Sequence, residues 1–196
     1  MAGRGRKSSS PPWCHCLDCE ADRDGQERAP GQSILGAVGA MDAIDRKILA
    51  VLQEDASLSV AEIGSRVGLS STPCWKRIQR LEAEGVILRR VALVDQDKIG
   101  LGVTVFVSIE TGDHSRAWLA NFAEVVGAMP EVMEFYRMAG DVDYMLRVVV
   151  PDIAGYDAFY KRLIAAVPLK NVTSRFAMEK IKSTTALPIP PAAARA

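Results

Sequence analysis

Residues 59–87, SVAEIGSRVGLSSTPCWKRIQRLEAEGVI, contain two short helical patterns joined by a glycine turn. Ser59 and Glu62 have the spacing of a capping box, in which each side chain satisfies an amide group at the helix start. Gly68 predicts the end of this first helix, because glycine readily takes the left-handed conformation that follows a helix. This stretch therefore constrains the region to two short helices around a tight turn.

A second helix is predicted from residue 71 to about residue 84, with Ser70 or Ser71 as its N-cap and Pro73 in its first turn. At about 100° per residue, three apolar side chains fall on one side: Cys74, Ile78 and Leu81. The opposite side carries Pro73 and three cations: Lys76, Arg77 and Arg80. An apolar back and a basic front that fits a major groove are what a helix-turn-helix needs. The sequence therefore predicts binding to double-stranded DNA.

A charged helix side is most often only solvated surface. Here the three cations occur with no carboxylate before Glu82, directly after a glycine turn and small polar residues, which favours DNA recognition. The prediction requires that the basic side be free of other protein groups. The residues expected at base edges or nearby phosphates are Ser71, Thr72, Lys76 and Gln79. We expect Arg77 and Arg80 to hold the phosphate backbone, and Trp75 to extend the core rather than touch DNA.

Composition neither supports nor excludes a nucleic-acid partner. The 196-residue chain has a formal net charge of zero, and residues 41–90 hold eight Lys/Arg against seven Asp/Glu. Affinity for DNA would therefore depend on where the cations lie and on two copies acting together. No apolar run approaches the roughly 20 residues that span a bilayer, and no secretory signal is visible. No membrane association and a cytoplasmic location are expected.

A cysteine cluster occurs near the N-terminus, at Cys14, Cys16 and Cys19 with His15 between them. Such ligands suit a soft metal or redox exchange. Structural zinc sites, however, use two ligand pairs separated by a longer loop, and no second pair exists here. The cluster is therefore interpreted as incidental to a polar segment, and no metal site and no cofactor is predicted.

Composition divides the chain into five parts. Residues 1–40 are rich in Gly, Arg, Ser and Pro, so we expect a disordered or non-native extension, with Met41 as the authentic start. The alternative is a basic arm, with Arg4, Arg6 and Lys7 touching phosphates. A helix from Asp42 to about residue 55 completes a three-helix DNA-binding domain over 41–88. The linker, 89–102, consists of a strand predicted over 88–94 and a turn. A C-terminal tail occupies 189–196.

Residues 103–188 show a different pattern, with strict alternation first and helical spacing next. Strands are predicted near 103–110, 132–138, 144–150 and 172–187, and helices near 118–129 and 156–167. The order βαββαβ predicts a ferredoxin-like domain, in which two helices cover one face of an antiparallel sheet. The fold class is thus α+β. The uncovered sheet face carries apolar residues, which predicts a homodimer.

Several fragments together resemble the leucine-responsive regulator (Lrp/AsnC) family of bacterial and archaeal transcription factors. They are DAIDRKIL (42–49), LSSTPC (69–74), RLE (80–82), GVI (85–87), GDVDY (140–144) and KSTTALP (182–188). The resemblance covers residues 41–188. Two departures are residues 1–40, which have no counterpart, and Trp75, where a smaller aliphatic side chain is commoner.

The resemblance implies a transcriptional regulator that forms dimers and often octamers through its C-terminal domain. It also implies that this domain binds a small effector, commonly an amino acid, at clefts between dimers. The matching loop residues are Ala139, Gly140, Asp141, Asp143 and Tyr144. Glycine lets an amide approach a ligand carboxylate, and an aspartate can accept a hydrogen bond from an ammonium group. The alternative is that Gly140 and Asp141 only supply turn chemistry.

Two rival functions remain open at the level of sequence. A protein that organises DNA with little sequence preference would use the same fold. An enzyme would need an acid–base group, and His114, Asp141, Asp143 and Tyr144 are the available side chains. No nucleophile elbow, phosphate loop or metal-ligand set accompanies them, so no catalytic residue is predicted.

Overall fold

The computed structural model describes residues 41–190. The predictions for residues 1–40, including the start at Met41, the cysteine cluster and the basic arm, lie outside the described residues, as does most of the predicted tail. The described chain forms two units. One contains residues 41–88 with 188–190, and the other is Arg89–Leu187.

The first unit is the predicted three-helix bundle of a helix-turn-helix. Its helices are α1 (Ala43–Glu54), α2 (Val60–Val67) and α3 (Ser71–Ala83). The predicted starts of α1 and α2 are confirmed, because Asp42 and Ser59 each form a reciprocal capping box with the residue three positions on. Gly68 ends α2 with a φ of 77°, in the left-handed region that glycine favours.

Six buried side chains form the core of this unit: Ile48, Ile63, Val67, Cys74, Ile78 and Leu81. The side of α3 predicted to pack is therefore the side that packs. Burial raises the pKa of the Cys74 thiol by desolvation, so this cysteine behaves as a small apolar residue.

Gly64 allows the tight turn between α2 and α3. The Leu69 amide donates to the Gly64 carbonyl oxygen at 2.8 Å, which folds the turn back over the end of α2. A Cβ atom on Gly64 would lie 2.7 Å from the Leu69 carbonyl oxygen. Since this neighbour is backbone, it cannot swing away as a flexible side chain would.

The second unit has the predicted ferredoxin-like order βαββαβ. Its elements are β1 (Val103–Glu110), α4 (Arg116–Gly127), β2 (Val132–Arg137), β3 (Tyr144–Val150), α5 (Ile153–Ala166) and β4 (Asn171–Phe176). The strands form one antiparallel sheet in the order β2-β3-β1-β4. The α+β fold class is confirmed.

The alternation in β1 decides which face of the sheet is buried. Val105, Val107 and Ile109 are fully buried against the helices, in one core with Phe122 and Phe159. The alternate residues Phe106 and Tyr136, on β1 and β2, lie on the uncovered face and are 40% and 50% exposed. That face also carries an ion pair between Arg147 and Glu134 at 2.8 Å, so it is mixed rather than purely apolar.

Two strand predictions are wrong. Residues 88–94 form no strand and their large apolar side chains are exposed. The last strand ends at Phe176 rather than at Leu187, because β1, the one strand it pairs with among residues 41–190, begins at Val103. The Ala177 amide still donates to the Thr104 carbonyl oxygen at 2.9 Å, and in the described part of the chain no strand pairs with the residues that follow. Alternation predicts a strand, but the strand also needs a partner for its amides.

One core prediction is also wrong. Trp75 is 51% exposed on α3 and is not part of the core. Trp75 lies beside the buried Cys74 in sequence, at the edge of the packed stripe of α3. Within residues 41–190, no helix is long and apolar enough to cross a membrane.

We expect the substitution Gly64→Ala to lower the free energy of unfolding by about 1–3 kcal/mol, because its methyl group would press on the Leu69 carbonyl. Gly112→Ala is the matched control, since a Cβ there meets no atom within 4 Å. Its effect should stay within about 0.5 kcal/mol. Urea unfolding measures both, and equal losses in the two variants would contradict the steric argument.

Candidate nucleic-acid interface and effector loop

The exposed side of α3 carries most of the residues predicted to touch DNA. Ser71, Thr72, Lys76 and Gln79 are all exposed. Thr72, Lys76 and Gln79 lie on the helix side away from the buried Cys74, Ile78 and Leu81, whereas Ser71 lies in the first turn at the edge of the buried stripe. The Gln79 amide nitrogen donates to the Glu82 carboxylate at 2.9 Å, so its side chain is held along the helix surface.

Arg77 and Arg80 point toward α1 instead. The Arg77 Nη1 atom lies 2.6 Å from the Asp42 carboxylate and 2.8 Å from Asp45 Oδ1. The Arg80 Nη2 atom lies 2.5 Å from Asp45 Oδ2. Two of the three predicted cations are therefore neutralised by neighbouring carboxylates within the same unit.

Asp45 is the centre of this ion-pair cluster. Its side chain is only 1% exposed, and its two oxygens receive one arginine each. One of them also accepts from the Asp42 amide at 3.1 Å, which completes the capping box of α1. A buried carboxylate is stable only when it is paired and hydrogen-bonded, and this one is. The cluster thus fixes α3 against the start of α1.

Sequence analysis missed this partner of the arginines, although a signal was present. Asp45 falls between Ile44 and Ile48 on the apolar side of α1. A carboxylate inside an apolar stripe indicates a buried cationic partner. The same cluster lowers the pKa of the Asp42 carboxyl, chiefly because the Asp45 amide donates to it, with Arg77 as a further contribution.

Lys76 differs from the two arginines. It is exposed, and no carboxylate lies within 4.0 Å of its ammonium group in the described part of the chain. The side chain of the N-cap residue Ser70 makes no capping hydrogen bond, so it leaves the first amides of α3 without a side-chain acceptor. An uncapped helix start with an unpaired cation nearby is suited to phosphate groups.

The predicted effector loop connects β2 and β3 and contains Ala139, Gly140 and Asp141, all exposed. Asp143 is tied to the segment that follows β1, because its carboxylate accepts from the Thr111 amide at 2.8 Å. The imidazole Nδ1 of His114 lies 3.8 Å from the same carboxylate. The loop is therefore held in place by Asp143, while its tip remains accessible.

Tyr144 is buried, in contrast to the rest of the loop. It is 3% exposed and packs among three aromatic rings: Trp118, Phe122 and Phe135. Burial raises the pKa of its phenol. Tyr144 therefore anchors the end of the loop in the core.

A shallow hollow lies at the same end of the sheet. It is lined by Gly112, Asp113, Trp118, Pro168, Leu169 and Lys170. The indole Nε1 of Trp118 is buried and meets no hydrogen-bond acceptor among the described residues. The Lys170 ammonium lies 3.3 Å from the Glu110 carboxylate. Sequence analysis did not connect these residues, because they come from the segment after β1, from α4 and from the segment between α5 and β4.

Comparison with known proteins identifies both units. Residues 41–82 match the AsnC-type helix-turn-helix domain, and residues 104–187 match the Lrp/AsnC ligand binding domain. The chain belongs to the Lrp/AsnC family of transcriptional regulators. The resemblance found in the sequence is thereby confirmed. Because this family consists of transcriptional regulators and not of enzymes, the enzyme alternative is set aside.

Individual relatives agree with this assignment. The chain is 55% identical to the DNA-binding transcriptional activator DecR of Escherichia coli, over 76% of this chain and 99% of that protein. The crystal structure of an AsnC family transcriptional regulator from Agrobacterium tumefaciens has a TM-score of 0.74 at 64% identity, covering 76% of this chain and 97% of the other. A regulator from Neisseria meningitidis in complex with L-methionine has a TM-score of 0.72 at 32% identity, covering 76% and 96%.

We expect Asp45→Asn to lower the free energy of unfolding on the order of 2 kcal/mol, because both arginines lose their charged acceptor at a buried site. Glu54→Gln is the control, since it removes a carboxylate from an exposed position on the same helix. Chemical denaturation followed by circular dichroism measures both. A loss for Asp45→Asn no larger than that of the control would show that the cluster adds nothing to stability.

Proposed function

We propose that this protein regulates transcription by binding a specific double-stranded DNA site through α3 and by responding to an amino acid or a similar small effector. The proposal rests on one observation: α3 turns two arginines inward to α1 and leaves Lys76 among exposed polar side chains. One side of α3 is thus fixed against α1, while the other side is exposed. Recognition in a major groove requires both.

The proposed contacts differ in role. Ser71, Thr72, Lys76 and Gln79 would face base edges and nearby phosphates from the exposed side of α3. Arg77 and Arg80 would act mainly by holding α3 at a fixed angle. Arg80 is 42% exposed and Arg77 29%, so a guanidinium edge of each can still approach a phosphate while paired with Asp45.

A homodimer is the proposed binding form, with two α3 helices in successive major grooves and a roughly palindromic site. Support comes from the uncovered sheet face, where Phe106 and Tyr136 are exposed beside the Arg147–Glu134 pair. Exposed apolar side chains in residues 88–94 and 178–187 add surface that a second copy would cover. Association of dimers into a higher homo-oligomer, an octamer, is part of the proposal by family resemblance.

Lys76→Ala should weaken binding to all duplexes by a similar factor and reduce the salt slope of affinity by about 1, because one phosphate contact is lost. Titrations of a selected duplex and a random duplex at several salt concentrations measure this. Lys161→Ala is the matched control, since it removes one cation from α5 in the other unit. An unchanged slope for Lys76→Ala would remove Lys76 from the interface.

The same titrations separate the regulator from a DNA-organising protein, the alternative with the same fold. A regulator should prefer its selected duplex over random duplex by roughly a thousandfold or more at physiological salt. Near-equal affinities would favour the organising role.

We propose that the effector binds at one end of the sheet, between the loop that follows β2 and the hollow beside the end of β1. Asp143 joins the two, because its carboxylate binds the Thr111 amide next to Gly112. An amino acid presents an ammonium and a carboxylate, and this end of the sheet offers the exposed Asp141 carboxylate together with the Lys170 ammonium, which would bind the ligand carboxylate beside its partner Glu110. The methionine complex of the Neisseria meningitidis relative supports an effector of this class.

A thermal-shift screen against the twenty amino acids should find at least one that raises the unfolding temperature, because a ligand of the folded state stabilises it. Asp141→Asn should abolish that shift without lowering the temperature measured in the absence of ligand, since Asp141 is exposed. Glu124→Gln, an exposed control on α4, should keep the shift. A full shift in the Asp141 variant would contradict the proposed location.

A further inference from the structure

Trp75 has no structural role within the described residues that would account for a large aromatic side chain on α3. It is 51% exposed, and it belongs neither to the core cluster of its unit nor to the partly buried residues packed on that cluster. It makes none of the ring contacts found among the other aromatic residues of the described chain. About half of the Trp75 side chain is therefore open to solvent on the surface of α3.

The position of Trp75 places it beside the polar residues of the proposed interface. It lies four residues after Ser71 and four before Gln79, so these three side chains form one row along α3. Thr72 and Lys76 form the adjacent row. The inward-turned Arg77 lies beyond the second row, on the flank that faces α1. Trp75 is thus part of the exposed front, on the flank away from the ion-pair cluster.

An indole among hydroxyl, amide and ammonium groups adds a kind of contact that they lack. In a major groove, the one apolar group on a base edge is the C5 methyl of thymine, which is recognised by apolar side chains. The polar side chains next to the indole can form hydrogen bonds with the donors and acceptors of the same base pairs. The first two turns of a recognition helix are where such readers are found, and Trp75 occupies the second turn.

We propose that Trp75 is a specificity-determining residue, whose indole ring contacts a thymine methyl group in each half-site. This inference rests on the proposed function, because it requires α3 to enter a major groove. It assigns to Trp75 a preference for an A·T pair at one position of each half-site. The neighbouring Lys76, by contrast, binds phosphate and carries no sequence preference.

Selection of duplexes from a random-sequence pool, carried out in parallel with wild-type protein, Trp75→Ala and Trp75→Phe, tests the proposal. The wild type should enrich an A·T pair at a fixed position of each half-site, and Trp75→Ala should lose that preference while keeping the others. Its affinity for the wild-type duplex should fall on the order of tenfold, the cost of one mismatched contact. Trp75→Phe, which keeps an apolar ring, should retain most of the preference.

Glu54→Gln is the control, because Glu54 is exposed in the same unit but lies on α1, outside α3. Unfolding temperatures establish that each variant is folded, which an exposed position makes the expected result. Loss of affinity by the same factor for all duplexes would make Trp75 a backbone contact and overturn the proposal, as would unchanged preferences. Failure of the wild type to bind any duplex would instead reject the proposed function.

Discussion

The buried carboxylate of Asp45 is the constraint on which the DNA-binding half of this protein depends. It receives Arg80 at 2.5 Å and Arg77 at 2.8 Å while it also caps the start of α1. A charge with 1% exposure persists only when its partners are in place, so α1 and α3 must keep one relative position. A recognition helix needs this fixed position, because its side chains must reach particular base edges in the groove.

The same cluster divides the cations of α3 into two classes. Arg77 and Arg80 hold the helix, whereas Lys76 remains available to phosphate. A near-balanced local charge is therefore compatible with DNA binding, since the charges that face inward cancel. In the proposed function, specificity would come from Ser71, Thr72, Gln79 and Trp75 on the exposed side of α3.

The C-terminal unit separates fixed and accessible groups in a similar way. Asp143 and Tyr144 anchor the loop after β2, one through the Thr111 amide and the other through the aromatic core. The tip of the loop, with Gly140 and Asp141, stays exposed. An effector that bound there would act on a loop already joined to β1, so its binding energy could favour one assembly of the domain over another.

Sequence alone determined the helix starts, the packed side of α3 and the order βαββαβ, because capping boxes and hydrophobic periods are local properties. Tertiary structure decided which cations are free, since Asp45 lies about thirty residues from its arginines. It also decided where β4 ends and that Trp75 is exposed. Those outcomes depend on which helix or strand packs beside each residue in space. The hydrophobic period of a single segment does not contain that information.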